Sequence, residues 1–298
     1  MLAIACLYLC FTGTMFIENL IMATNHYPLF VAGARIFGGG AFLFALYLLQ
    51  HKKIVFVQLQ QLANVAFFKY VFCLYVLFVS GSAWSMQYMD PVKGCFIFVL
   101  SPFMTALMLY FGYQEKLTFK KICGLFVGFF AVVPIILQTN ADSATQTAGH
   151  LTLIAYGVYA AAVTCFAYGW IVYNKQVVKQ ITVPSALLTS LALMCGGIIT
   201  LSIFVVSSAS SLSSMQLTNL FWLQLLFFSM LTAVGYHLYA LLLKRYSATF
   251  ISFASFLQPA FGLIIGALLF KQHISAISIV ALVALAAGLF LFSQEELG

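Results

Sequence analysis

The chain alternates long apolar runs with short polar interruptions. Runs long enough to cross a bilayer core about 30 Å thick fall at residues 2–23, 28–50, 66–87, 91–113, 119–138, 150–174, 184–207, 217–243, 248–270 and 274–293. The pattern predicts an all-α membrane protein with ten transmembrane helices. From Gln180 to Leu243 there is no Asp, Glu, Lys or Arg at all. That gap is long enough for two spans and their connection, and it leaves no room for a soluble domain.

The interruptions repeat. Gln87 to Pro134 and Lys244 to Leu291 share one layout at an offset of 157 residues. Each has a polar entrance, an apolar run broken by one proline (Pro102, Pro259), a small charged hairpin (Gln114-Glu115-Lys116, Lys271-Gln272-His273) and a second apolar run. Two repeats follow, at residues 1–140 and 149–294. With five spans each, an odd number, the second half enters the membrane inverted relative to the first. Halves of this kind form substrate sites where they meet, which points to a transporter.

Composition agrees with the pattern: 64% of residues are hydrophobic and 6% charged, far from the soluble balance of about a quarter charged. Met1 to Phe16 has no basic leader and no small-residue cleavage site, so it reads as the first span. The net charge of +7 does not indicate nucleic-acid binding. Ten basic residues (Lys52, Lys53, Lys69, Lys116, Lys120, Lys121, Lys175, Lys179, Lys244, Arg245) fall on one side if the spans alternate, with Lys271 an exception on the other. Short basic loops face the cytoplasm, so both termini are expected there. The seven cysteines lie in apolar runs without a CxxC or a neighbouring histidine, which suggests packing rather than disulfides or metal. No zinc pattern, acidic cluster, Ser-His pair or nucleotide-binding loop is present. The expectation is a non-enzyme without cofactors, driven by gradients or exchange, whose partners are a small-molecule substrate and the lipid bilayer, as monomer or homodimer.

Certain runs resemble a known family. Ala83-Trp84-Ser85-Met86-Gln87-Tyr88, Leu100-Ser101-Pro102-Phe103-Met104-Thr105-Ala106-Leu107 and Glu115-Lys116-Leu117-Thr118 are similar to the first repeat of EamA-type members of the drug/metabolite transporter superfamily. Tyr239 to Ala248, Phe256-Leu257-Gln258-Pro259 in the second repeat, and Arg35 early in the second span, extend the likeness over nearly the whole chain. It implies a ten-helix transporter of the bacterial inner membrane, working by alternating access through a central cavity. The chain departs from the family pattern at Lys271-Gln272, where a Gly-Glu pair is usual, and at Asp90 and Lys93.

Several residues are candidates for the cavity. Pro102 and Pro259 remove the amide hydrogens that would bond the carbonyls of Phe98 and Ser255, leaving acceptors that either line a polar cavity and hinge or accompany a packing kink. Glu18, Arg35 and Lys93 are the ionisable groups well within first-half spans, at a cost of roughly 3 kcal/mol each. Glu18 can neutralise Arg35, as a structural ion pair, or Lys93. Lys93 follows Asp90-Pro91 at a helix start, where it suits an anionic substrate group or snorkels to the interface. Tyr156, Tyr159, Val163, Phe166, Trp170 and Tyr173 recur three and four apart along one side of the sixth span; Tyr159 and Trp170 are the candidates for stacking on a substrate, packing being the alternative. His237, beside Tyr236 and Tyr239, is a proton-sensitive candidate or a hydrogen-bonded neutral histidine. The substrate-cavity set is therefore Glu18, Trp84, Tyr88, Lys93, Tyr159, Trp170, His237 and Tyr239. Gly38-Gly39-Gly40, Gly124 with Gly128, Gly196-Gly197 and Gly262 with Gly266 permit close helix approach. The expected function is secondary transport of small organic metabolites, amino acids or nucleotide-like solutes; the alternative is a non-transporting scaffold or receptor-like subunit.

Overall fold

The computed structural model describes residues 2–24, 27–50, 60, 62–115, 118, 119, 122–124, 126, 127, 130, 131, 146–208, 218–271 and 274–293. Among these, eight helices are long and apolar enough to cross a membrane: Leu2–Thr24, Pro28–Gln50, Val65–Ser85, Pro91–Tyr113, His150–Gln180, Ser185–Ser207, Asn219–Leu242 and Ala248–Phe270. A further apolar helix runs over Ala276–Ser293. These correspond to the predicted spans one to four and six to ten, and keep those ordinal names below. Most of the predicted fifth span lies outside the described residues, as do Lys52, Lys53, Lys116, Lys120, Lys121, Gly128, Gln272 and His273.

The fourth and ninth spans match each other down to single backbone positions. Asp90 caps the fourth, its side chain accepting from the Val92 amide at 2.8 Å; Ser247, 157 residues on, caps the ninth by accepting from the Phe250 amide at 3.0 Å. Both helices break one turn ahead of their proline, at Val99 (φ −59°, ψ −15°) and Phe256 (φ −60°, ψ −14°). Each ends on a left-handed residue that is not glycine, Gln114 at φ 53° and Lys271 at φ 52°, whose amides bond the carbonyls of Leu109 and Gly266. The first half of one span packs on the second half of the other, as where Gly262 meets Cys95 and Val92, so the matched helices run antiparallel. Phe96, Val99 and Phe103 share a core with Phe253, Phe256 and Leu263.

Lipid supplies no hydrophobic drive for helix association, so tight packing between helix backbones must do so. The second span provides such a seam. A methyl group placed on Gly39 would lie 2.8 Å from the Ser229 carbonyl oxygen of the eighth span; one on Gly197 of the seventh would lie 2.8 Å from the Phe37 backbone. Gly196 of the seventh span and Gly169 of the sixth admit Tyr75 and Leu74 of the third. Those two residues sit in a widened π turn, Phe72–Phe78, and a second π turn, Tyr173–Val177, lies in the sixth span. Because the turn swells where the glycines recede, the third span fits between the sixth and seventh.

These contacts predict that Gly197→Val lowers the melting temperature of the purified protein by about 2–10 °C. Gly157→Val, at an open position, should leave it unchanged in the same fluorescence melt. Lys271→Gly relieves a left-handed backbone that costs about 1 kcal/mol for a side chain with a Cβ. It is expected to raise the melting temperature by a few degrees, and an unchanged or lower value would show that the Lys271 side chain contributes a compensating contact.

Candidate functional site

Inside the bundle, a polar chamber forms where the first, second, third, fourth, sixth, eighth and ninth spans converge. It lies toward the ends marked by Thr24, Ser85 and Phe270, with Thr14, Thr232 and Gln258 near the middle of their helices. Its charged wall is Glu18 and Arg35, with Glu18 Oε1 3.3 Å from an Arg35 terminal nitrogen and side chains only 1% and 5% exposed. Ser82 donates to the other oxygen, Oε2, at 2.7 Å. The guanidinium also lies over the Phe228 ring, 4.4 Å from its centroid, a favourable cation–π position. One acidic side chain therefore links the first, second and third spans, and its partner reaches the eighth.

The chamber is not fully satisfied. Arg35 Nε and both amide ends of Gln258 have no hydrogen-bond partner among the described residues, although Gln258 is wholly buried; Glu18 Oε1 meets only the Arg35 charge. Ser101, which occupies the matched position in the first repeat, also has an unpartnered buried hydroxyl, as does Ser255. Each such group costs about 1–3 kcal/mol when left dry. Other hydroxyls nearby satisfy themselves within their own helix: Thr14 donates to the Phe11 carbonyl and Thr232 to that of Phe228. The void bounded by Glu18, Arg35, Thr14, Thr232 and Gln258 is about 20 Å³, room for about one water; Ser101 and Ser255 are buried but do not line it.

Aromatic rings close the chamber on the side nearer Leu2 and Leu242. Phe166 is the hub, its ring 4.9 Å from both Phe78 and Phe98 and 5.9 Å from Phe11. Beyond it Trp170 stacks on Tyr239 at 4.1 Å and 13°, and on Tyr236 at 6.1 Å and 25°. Tyr70, Tyr75 and Tyr173 complete the layer, and the Tyr8 hydroxyl donates to the Ile251 carbonyl. At the same end Lys175 pairs with Glu115 at 2.5 Å, and Asn174 donates to the Leu243 carbonyl, tying the sixth span to the fourth and eighth. Toward the opposite end, Asn19 donates to the carbonyls of Met86 and Met89.

The structure therefore divides the candidate residues. Glu18 and Tyr159 line the chamber with Arg35, and the Phe98 side chain joins them; Trp170 and Tyr239 form the stacked layer behind. Pro102 and Pro259 are buried, each following an unpartnered side chain, Ser101 or Gln258. Lys93, Trp84, Tyr88 and His237 do not line the void: Lys93 is half-buried in the first turn after Asp90, Trp84 packs on Tyr88 at 5.1 Å, and His237 is half-buried with an unpartnered Nδ1. Gln258 was missed by sequence reasoning. Its signal was its position, immediately before the repeated proline and matched by a second polar residue at Ser101.

Comparison with known proteins agrees with this architecture. A solved crystal structure superposes with a TM-score of 0.71 over 98% of this chain and 96% of that chain at 12% identity, a likeness of fold. S-adenosylmethionine/S-adenosylhomocysteine transporters of Chlamydia trachomatis serovar D and Chlamydia muridarum are each 27% identical, over 82% of this chain and 74% and 76% of their own lengths. A probable amino-acid metabolite efflux pump of Escherichia coli K12 is 28% identical over 63% of this chain and 62% of its own. The model of the EamA-like transporter family matches residues 1–137 and 153–294. The chain, a multi-pass membrane protein and not an enzyme, belongs to the EamA-like transporter family.

Proposed function

We propose that this protein is a secondary transporter that moves small organic metabolites, amino acids or nucleotide-like solutes, across the bacterial inner membrane by alternating access. Two inverted five-helix halves, residues 1–140 and 149–294, enclose the route, and both termini face the cytoplasm. The observation that carries the reading is the polar chamber beside the antiparallel fourth and ninth spans, with Gln258 buried and unpartnered in its wall. The matched helix breaks at Val99 and Phe256 supply places where each half can bend. Lys69, Lys175, Lys179, Lys244 and Arg245 lie at the end closed by the aromatic layer, which supports a cytoplasmic placement of that end. The chamber is then occluded with its inner side shut, and opening requires Trp170 and Tyr239 to part.

A second reading has its own support. A void of about 20 Å³ and an ion pair almost without exposure also suit a non-transporting scaffold. A permanently solid centre, however, has no reason to keep buried amide and hydroxyl groups unpartnered, and this favours the transporter.

Flux decides between them. Proteoliposomes holding the purified protein should take up labelled S-adenosylmethionine, S-adenosylhomocysteine or an amino acid at least about tenfold faster than empty liposomes, with stimulation by the same compound trapped inside. No uptake across that panel would favour the scaffold. Trp170→Ala removes aromatic pairing worth about 0.5–1.5 kcal/mol per contact. It should lower the uptake rate several-fold while the protein still elutes as a folded species; normal uptake would place the gate elsewhere.

A further inference from the structure

The chamber holds one carboxylate, one guanidinium and one primary amide, each with an unused hydrogen-bonding position. Glu18 Oε1 is held by the 3.3 Å ion pair with Arg35 alone, Arg35 Nε donates no hydrogen bond, and Gln258 offers both a donor and an acceptor. The hydroxyls of Thr14, Ser82 and Thr232 are already committed. What is left to read a ligand is therefore a negative acceptor, a positive planar donor and a bifunctional amide, all nine-tenths or more buried.

We infer that this chamber recognises an α-amino-acid head group. The ligand carboxylate pairs with Arg35, its ammonium group with Glu18, and Gln258 bridges the two. The inference rests on the transport reading and gives it a substrate class. Charge balance is the reason. A simple cation competes for Glu18 and leaves Arg35 without a counter-charge, while a simple anion leaves Glu18 alone; either result strands a charge away from water. A zwitterion replaces one ion pair with two and leaves the net charge of the chamber at zero. A neutral solute meets only Arg35 Nε and Gln258 and gains no charge pairing. The present void is smaller than such a head group, so Glu18 and Arg35 must separate as it enters and close on each other when it leaves. The remaining wall, Met15 with the rings of Phe11, Phe78, Phe98, Tyr159, Phe166 and Tyr236, is mainly aromatic and suits a planar or unbranched substituent on the α-carbon.

The test is binding to the full-length detergent-purified protein by calorimetry. The ligands are the twenty standard amino acids and S-adenosylhomocysteine, each binder being compared with a counterpart lacking part of the head. Phenylalanine is paired with phenethylamine and with 3-phenylpropionate, and S-adenosylhomocysteine with 5′-methylthioadenosine. At least one zwitterion should bind, and its counterparts should bind at least about tenfold more weakly, because a site built for a polar group rejects the analogue without it. Glu18→Gln should weaken the zwitterion while sparing the acid counterpart. Gln258→Leu, which removes no charge, should weaken it without loss of folded protein and serves if Glu18→Gln does not fold. Equal binding of the headless counterparts, or no binding of any zwitterion, overturns the inference. Zwitterion binding without flux in liposomes would remove the transport reading and leave this one standing. Flux of solutes without the head group, with no zwitterion bound, would do the reverse.

Discussion

An ion pair between Glu18 and Arg35 inside a bilayer-spanning bundle is the constraint around which the rest is arranged. Charges at such depth are costly unless they meet a partner, and breaking a buried pair by removing one member costs about 3–5 kcal/mol. Four spans must therefore approach closely enough to deliver the carboxylate, the Ser82 hydroxyl, the guanidinium and the Phe228 ring to one place. The glycine seams make that approach possible. Gly38 and Gly39 let the second span lie against the eighth, which carries Phe228, and Gly40 with Gly197 fixes the seventh span behind it.

Around the pair the two repeats contribute unequal chemistry on an equal backbone. Caps, breaks, prolines and left-handed ends recur at the fourth and ninth spans, yet Ser101 is answered by Gln258 and Phe98 by Ser255. The ninth span thus places an amide where the fourth places a hydroxyl, and a hydroxyl where the fourth places a ring. The matched backbone repeats the helix break while leaving the side chains around it free to differ. The aromatic layer acts differently again: it seals by ring contact, without charge, so parting the rings exposes no stranded ion.

Much of this was legible in the sequence. Among the described residues, the length of the apolar runs located the helices to within a few residues at most ends, since lipid fixes span length more strictly than water does. The 157-residue offset located the matched prolines and the helix ends at Gln114 and Lys271, and Asp90-Pro91 read correctly as a cap and first turn. Glu18, Arg35 and Tyr159 stood out because charge and helical spacing are visible along one chain. Other features depend on neighbours that the chain does not announce. Leu74 and Tyr75 sit in a π turn because glycines of other helices make room, and no local signal marks it. Gln258 looks like an ordinary polar residue until the crossing of two broken helices encloses it. Trp84 and Tyr88 carry a family-like motif, yet they pack on each other away from the void.

The central claim is that the chamber opens alternately to the two sides of the membrane. Thr14 lines it and is buried, so a single cysteine at that position, in a protein whose seven native cysteines are replaced, reports access directly. In sealed vesicles of known orientation, a membrane-impermeant thiol reagent should label Thr14→Cys from either face, with transported substrate changing the rate. Labelling from one face alone, or from neither under any condition, would contradict the account.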